Sequence, residues 1–321
     1  EGVAYRFATA QKGETVVMSE TAEVNFGKDN LAWLPYSTNE KNQMAMAFQN
    51  FYDNCRLSEA KDILAFLPVT VDCGEVKVTV MESDLESYPG MFISVDKEKK
   101  GLDGVFAPYP KKTDFYPWRV QEYVTETEDF IAKTTGPRNY PWRVLAVTSC
   151  DTQLPVNNLV YALASPSRIE DTSWIKGGQV AWDWWNDWGL SGVDFVAGIN
   201  MDTYRYYIDF ASANGIGNVV LDEGWYNPKS GDMLTVIPEL DLAELIAYGK
   251  ERNVNIILWT VFNVLDSQLE EACAKYKEMG VVGFKVDFLD RDDQTAVEMA
   301  YRIADACARH QLTLDYHGFY K

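Results

Sequence analysis

Histidine and cysteine are scarce in this sequence. Only His310 and His317 are present, and the five cysteines are scattered without a CxxC pair. Two histidines exclude a metal centre built mainly from imidazole ligands, and the cysteine spacing argues against a zinc site or a dense disulfide framework. We therefore assign no metal ligands from these residue types.

Basic residues and long apolar runs are also in short supply. The chain has 29 Lys and Arg against 48 Asp and Glu, which gives a net charge of −19. Nucleic-acid binding needs a basic face, and no apolar run approaches the ~18–20 residues that span a bilayer. No signal peptide is visible at Glu1, where the sequence resembles the middle of a strand. We expect no nucleic-acid partner and no membrane-spanning segment, and a neutral substrate is compatible.

Aromatic residues are abundant, at 13% of the chain with 10 Trp and 18 Tyr. This composition suits a protein that stacks on flat ligands such as sugars, and it equally suits a large aromatic core. Composition alone leaves both interpretations open.

The first half of the chain is patterned as strands. Residues 1–165 show short alternating apolar runs separated by turn signals, which predicts an antiparallel β-sandwich. The segment 39–54 is the exception, and its pattern fits either a helix or a long loop.

The second half changes period. Strands are predicted at 179–185, 218–225, 255–262, 283–290 and 312–318, with helices at 202–215, 240–253, 267–280 and 292–310. Near-continuous apolar strands between helices predict a parallel sheet covered by helices, either doubly wound or closed. No nucleotide-binding glycine loop follows a strand, and polar residues end strand after strand, which favours a TIM-type barrel. Residues 166–321 would then hold the first five units of a (β/α)8 barrel, and Ser267 would open one helix in a capping box with Glu270.

Two charges interrupt the apolar strand 283–290. Lys285 and Asp287 are two residues apart, so they share a face. An aspartate held ionised by a neighbouring lysine at a barrel mouth is a suitable nucleophile toward an anomeric carbon. The alternative is a structural ion pair inside the barrel.

Other candidates lie at neighbouring strand ends. The stretch LDEGW supplies Asp222, Glu223 and Trp225, which suit the hydroxyls and apolar face of a sugar or merely form a surface loop. We also expect substrate contacts from three residues at the other strand ends, namely Trp185, Trp259 and His317. For Trp185 a plug of the barrel floor, and for His317 a structural role, remain alternatives. The acidic run 290–293 is expected to form a solvated loop and helix start.

At these residues the chain resembles glycoside hydrolase family 97. The resemblance is carried by the run 141–188, from PWRV to WDWWNDW, and by VVLDEGWY, GFKVDFLD and LDYHGFYK. It implies a β-sandwich packed on a (β/α)8 barrel, a further C-terminal β domain, calcium dependence and exo-acting cleavage of α-glycosides. It also implies export to a bacterial periplasm.

The resemblance assigns the chain to the retaining branch of that family. Asp287 matches the strand-four nucleophile of retaining members, and Gly318 stands where inverting members carry a base glutamate. The acid/base glutamate and most calcium ligands are then expected beyond Lys321. The nearest counterpart of a sandwich calcium ligand is Gln49, so no metal ligand is assigned. In the wider clan, the residues matching Lys285 and Asp222 hold hydroxyls of the −1 sugar.

Together with the candidate residues, the resemblance implies a retaining α-galactosidase acting on α-linked oligosaccharides or galactosides. An α-glucosidase of the same fold, which differs in recognition of the 4-hydroxyl, and a non-catalytic carbohydrate-binding protein on a decayed barrel are the alternatives. Five barrel strands alone leave open edges. We therefore expect the remainder of a longer protein, or a second chain, to complete the barrel.

Overall fold

The computed structural model describes residues 1–320, which form an antiparallel β region followed by a parallel α/β region. The β region contains β1 Gly2–Tyr5, β2 Ala8–Thr9, β3 Glu14–Val17, β4 Glu23–Asn25, β5 Leu31–Leu34, β6 Asp53–Arg56, β7 Ala65–Phe66, β8 Val69–Asp72, β9 Lys77–Ser83, β10 Met91–Asp96, β11 Gly101–Phe106, β12 Pro110–Phe115, β13 Glu122–Thr127, β14 Ala132–Thr135, β15 Arg138–Asn139 and β16 Trp142–Thr148.

Two larger antiparallel sheets form the predicted sandwich. One has the order β1-β16-β9-β8-β5-β6 and the other β4-β11-β10-β7. Side chains alternate along β8, where Val69 and Val71 are fully buried, and they share one core with Ile93 and Leu102 of the second sheet. Burial of one face of each sheet is what the period-two pattern requires. The antiparallel sandwich is confirmed.

The sequence analysis missed the hairpin of β12 and β13. These strands form a two-stranded sheet apart from the sandwich, and β12 is largely exposed. The exposure explains the omission, because a strand without a buried face carries little periodicity. Segment 39–54 contains no helix and enters β6 at its end, so the loop alternative holds.

The parallel region begins near residue 180. Its elements, after the short helix α1 Leu159–Leu163, are β17 Val180–Trp182, α2 Met201–Ala213, β18 Asn218–Leu221, α3 Leu242–Glu251, β19 Asn255–Val261, α4 Phe262–Ser267, α5 Leu269–Met279, β20 Gly283–Asp287, α6 Gln294–Arg309 and β21 Thr313–Tyr316. The spatial order β17-β18-β19-β20-β21 follows the chain order, and every pairing is parallel. This is the arrangement of successive barrel units. Within residues 1–320, no helix combines the length and apolar character needed to cross a membrane.

The predicted helices pack their apolar faces on this sheet. Tyr204, Ile208 and Ala211 of α2 are buried at helical spacing, and the side chain of Asn200 accepts a hydrogen bond from Thr203 N at the helix start. Side-chain capping of this kind satisfies an amide that has no partner within the helix. The boundaries of α2 lie within two residues of the prediction.

One predicted helix start is wrong. Ser267 ends α4 rather than capping the next helix, and its hydroxyl donates to the carbonyl of Val264. The helix that follows starts at Leu269 and stops at Gly280, whose φ of +102° provides the predicted stop. The apolar residues Val264 and Leu265 are fully buried and extend helical structure back to Phe262, which a local capping pattern does not register.

The contact between β20 and β21 leaves no room for a side chain at Gly283. A Cβ there would lie inside the van der Waals distance of the carbonyl oxygen of Thr313. We expect Gly283→Ala to destabilise the protein by about 1–3 kcal/mol, because the backbones of the paired strands β20 and β21 must separate to admit the methyl group. Thermal unfolding measures the effect, and Gly217→Ala is the control because a Cβ there meets nothing within 4 Å. Equal melting temperatures for the two variants would contradict this account.

Candidate active site

Polar side chains from the ends of the parallel strands converge on one cleft of about 230 Å³. Its walls come from both halves of the chain. The lining residues are Ala47, Gln49, Arg119, Trp182, Trp184, Asp222, Glu223, Trp259, Lys285, Asp287, Phe288, His317 and Gly318. The carboxyl ends of parallel strands meet at one edge of the sheet, which explains why residues far apart in sequence gather here.

Lys285 and Asp287 form an ion pair on the floor of this cleft. All five residues of β20 are buried, and the two side chains are only 4% and 6% exposed. Lys285 Nζ lies 2.7 Å from Asp287 Oδ2, so the predicted shared face is confirmed. Charges buried this deeply are stable only when they are paired and hydrogen-bonded.

A second carboxylate shares the same lysine. Asp222 Oδ2 lies 3.0 Å from Lys285 Nζ and accepts a 2.6 Å hydrogen bond from the indole of Trp182. Asp222 Oδ1 accepts a 2.8 Å hydrogen bond from the backbone N–H of Glu223. One ammonium thus bridges two carboxylates, and the side facing the cleft carries a net negative charge when both are ionised.

Several groups fix the orientation of Asp287. Its Oδ2 accepts from Trp259 Nε1 at 3.2 Å and lies 3.1 Å from His317 Nδ1. Its Oδ1 accepts from the backbone N–H of Phe288 at 3.0 Å. A Cβ on Gly318 would collide with Oδ1, so the glycine admits the carboxylate. Asp287 is therefore a buried, singly oriented carboxylate that faces open volume.

Asp183 lies behind this cluster and is fully buried. Its carboxylate oxygens are 3.3 and 3.4 Å from the backbone nitrogen of Asp222. Burial, and then repulsion by the Asp222 carboxylate, raise the pKa of Asp183 to about 7. A neutral Asp183 spares the site a third buried negative charge.

Arg119 reaches the cleft from the turn of the β12–β13 hairpin. Its guanidinium pairs with Glu223, with Nη2 to Oε2 at 2.8 Å. The sequence analysis did not identify Arg119, because the residue belongs to the other half of the chain and no barrel pattern surrounds it. Phe288 is a further lining residue that it missed, whereas Trp182 and Trp184 belong to the tryptophan-rich run WDWWNDW that it named.

Two of the predicted substrate-binding tryptophans lie outside the cleft. Trp225 is fully buried and donates its indole hydrogen bond to the carbonyl of Trp259 at 2.8 Å. Trp185 is 82% exposed and does not line the cleft, whereas Trp182 and Trp184 do. Residues 183–186 form a 3₁₀ turn after β17, so strand alternation ends before Trp185.

The acidic run after β20 is buried rather than solvated. Asp292 and Asp293 are 0% and 3% exposed, so the expectation of a solvated loop is wrong. The expected helix start is confirmed, since the Asp293 side chain accepts from the backbone N–H groups of Thr295 and Ala296 at the beginning of α6. Among residues 1–320, no group of three or more His, Cys, Asp or Glu side chains is arranged to hold a metal ion.

Comparisons of sequence place the chain beside known glycosidases. Residues 1–166 match the model described as Glycosyl-hydrolase 97 N-terminal, and residues 184–321 match Glycoside hydrolase 97. A retaining alpha-galactosidase from Bacteroides thetaiotaomicron is 47% identical over 329 residues, which cover all of this chain and 50% of the relative. A probable retaining alpha-galactosidase from Streptomyces bingchenggensis is 26% identical over 323 residues, which cover 99% of this chain and 45% of the relative. The chain spans about half the length of these curated relatives.

Solved structures share the fold at lower identity. A beta-arabinopyranosidase has a TM-score of 0.77 at 20% identity, with 99% of this chain and 50% of that chain covered. A family 97 enzyme variant from Pseudoalteromonas sp. strain K8 has a TM-score of 0.76 at 20% identity, with coverage of 100% and 50%. These likenesses agree with a sandwich followed by part of a barrel. The match of both family models along the chain shows that it belongs to glycoside hydrolase family 97.

Proposed function

We propose that the full-length protein containing this chain is a retaining, exo-acting α-galactosidase with Asp287 as its nucleophile. The observation that carries the proposal is the environment of this carboxylate. Asp287 lies on the cleft floor, with Lys285 Nζ at 2.7 Å, Trp259 Nε1 at 3.2 Å and the Phe288 N–H at 3.0 Å. A preorganised carboxylate facing a cleft suits attack on an anomeric carbon. The relative at 47% identity is a retaining alpha-galactosidase, which supports this activity over the alternatives.

The proposed reaction has two displacements at the anomeric carbon. Asp287 attacks C1 of the galactosyl unit, the bond from C1 to the leaving oxygen breaks, and a carboxylic acid protonates that oxygen. The resulting ester is hydrolysed by a water that the same acid/base group deprotonates, which releases the α-anomer. We propose that this acid/base is a glutamate outside these 321 residues. We also propose that the remaining barrel strands belong to the same full-length protein, since the relatives are about twice as long.

The lysine and the second carboxylate are proposed to bind the sugar. Lys285 and Asp222 present a donor and acceptors beside the attacking oxygen, and both are fixed by burial and mutual pairing. Fixed polar groups of this kind orient hydroxyls without loss of side-chain entropy on binding. Glu223, Trp259 and His317 line the same volume and are proposed to complete the subsite. Trp225 supports Trp259 from behind, and Trp185 lies beyond this subsite.

Calcium dependence and export are also proposed, on the family resemblance. Among residues 1–320, no group of three or more His, Cys, Asp or Glu side chains is arranged to hold a metal ion, so we propose that the calcium ligands lie in the remainder of the full-length protein. The exported location is proposed to be the bacterial periplasm, which cell fractionation tests.

The nucleophile assignment is tested with Asp287→Gly in the full-length protein. Both p-nitrophenyl α-galactoside and α-glucoside are hydrolysed, and the anomer released is followed by NMR. We expect α-galactose as first product, a loss of at least about 10³-fold in kcat for the variant, and partial rescue by azide, which fits the space left by the carboxylate. Asp62→Gly is the control, because that carboxylate is 90% exposed. An initial β-anomer, or an unimpaired variant, would refute the assignment, and faster α-glucoside cleavage would favour the α-glucosidase alternative.

Chelation tests the calcium proposal. Treatment of the full-length protein with EGTA should abolish α-galactoside hydrolysis, and added Ca²⁺ should restore it whereas Mg²⁺ should not, because Mg²⁺ demands a smaller octahedral site. Activity that survives complete removal of calcium, checked by elemental analysis, would refute the proposal.

The raised pKa of Asp183 predicts how stability depends on pH. Its pKa of about 7 in the folded protein exceeds that of an unfolded aspartate, so the folded state binds the extra proton. The stability that the folded state gains from this proton is fully present below about pH 4 and is lost as the pH rises through 7. Asp183→Asn should therefore flatten the fall in melting temperature between pH 5 and pH 8. An unchanged slope in the variant would mean that Asp183 does not titrate in this range.

A further inference from the structure

The β12–β13 hairpin belongs to the first half of the chain, but its turn lies across the ends of the barrel strands. Val120 packs against Gly231 in the connection that follows β18. The side chain of Gln121 donates to Asp290 Oδ2 at 2.8 Å after β20. The backbone N–H of Glu122 donates to Asn263 Oδ1 at 2.9 Å after β19. One turn thus contacts the segments that follow three consecutive strands.

Arg119 lies in the same turn and contacts two walls of the cleft. On one side its Nη2 and Nε lie 2.8 and 3.4 Å from the two carboxylate oxygens of Glu223. On the other side its guanidinium carbon lies 3.9 Å from the centre of the Phe288 ring. The Arg119 side chain is only 19% exposed, so water weakens these contacts less than at an open surface.

Phe288 has an unfavourable backbone conformation that neighbouring groups must maintain. Its φ is +66°, in the left-handed region, which is unfavourable for a bulky aromatic residue. In this conformation its N–H donates to Asp287 Oδ1. The ring contacts the Arg119 guanidinium and also forms a T-shaped pair with the Trp259 ring, at a centroid distance of 6.2 Å. The conformation that orients Asp287 is therefore supported by Arg119.

We propose that Arg119 is a positioning residue for the hydrolytic reaction. By pairing with Glu223 and stacking on Phe288, it holds the β18 and β20 sides of the cleft together and keeps the Phe288 N–H directed at Asp287. This inference rests on the proposed function, since it assigns Arg119 a role only if Asp287 reacts. The sandwich half of the chain then takes part in catalysis through geometry and not merely through stability.

The chemistry of both contacts calls for a guanidinium. A planar fork meets a carboxylate through two nitrogens and stacks flat on an aromatic ring at the same time. A lysine offers a point charge that can reach Glu223 but has no plane to lie on Phe288. Arg119→Lys should therefore keep the ion pair with Glu223 and lose the contact with the Phe288 ring.

Steady-state kinetics of the full-length protein test the proposal, with Arg119→Ala, Arg119→Lys and Phe288→Leu compared on p-nitrophenyl α-galactoside. We expect Arg119→Ala to lower kcat by about 10²-fold, the scale for a misplaced reacting group, with KM changed less than about threefold. The kcat of Arg119→Lys should fall between those of the wild type and Arg119→Ala. Added guanidinium chloride should partly restore the kcat of Arg119→Ala. The double variant with Phe288→Leu should lose less than the product of the two single losses, because both remove the same contact.

Arg168→Ala is the matched control. Arg168 also joins the two halves of the chain, since it pairs with Glu86 and lies 3.8 Å from Asp305 of α6, but it does not line the cleft. The Arg168→Ala variant should keep the wild-type kcat. An unchanged kcat in Arg119→Ala, a rise in KM alone, or an equal loss in Arg168→Ala would overturn the proposal. If Asp287→Gly retains activity, the proposed function itself fails, whereas an inactive Asp287→Gly beside a fully active Arg119→Ala rejects only the positioning role.

Discussion

The site depends on one buried ammonium between two carboxylates. Lys285 Nζ lies within 3.0 Å of both Asp222 and Asp287, and all three side chains are nearly inaccessible to water. Removing a partner from such a cluster leaves an uncompensated buried charge, at a cost of about 3–5 kcal/mol. Further donors surround this cluster. Each oxygen of the two carboxylates accepts a hydrogen bond from an indole or a backbone N–H. Burial and the Asp222 carboxylate raise the pKa of the neighbouring Asp183 to about 7, which disfavours a further negative charge beside the cluster.

The cleft is not a product of the barrel alone. The loop between β5 and β6 supplies Ala47 and Gln49, and the hairpin supplies Arg119. The loop is tied down by a 2.8 Å hydrogen bond from Met46 N to the carbonyl of Asp290, and by Phe48, which packs on Phe66 and Phe92. A barrel mouth is an open edge of loops, and here it is narrowed by one loop of the sandwich and by the separate hairpin. The sandwich is therefore part of the site's wall.

Sequence patterns predicted the parts of the molecule that local periodicity controls. Alternation along strands located the sheet and placed Lys285 and Asp287 on one face, where the structure has them in contact. Tertiary context decided the rest. The pentapeptide YPWRV occurs at 116–120 and again at 140–144. In the first copy Arg119 lies in a turn and meets Glu223, while in the second Arg143 lies in β16 and pairs with Glu20 and Glu82 inside the sandwich. Identical local sequence thus leads to two environments, which no local pattern distinguishes.

The same limit applies to the two features that indicated retention, a carboxylate at 287 and glycine at 318. The two residues are 31 positions apart in the sequence, and no local pattern connects them. In the structure the two residues are linked sterically, because a Cβ on residue 318 would clash with Asp287 Oδ1. A side chain at 318 and this carboxylate orientation compete for one volume, so either residue restricts the other. The backbone also favours glycine at residue 318, because glycine adopts the φ of +50° found there without penalty. The orientation of the Asp287 carboxylate in the cleft is thus determined jointly by strand β20 and by the turn after β21.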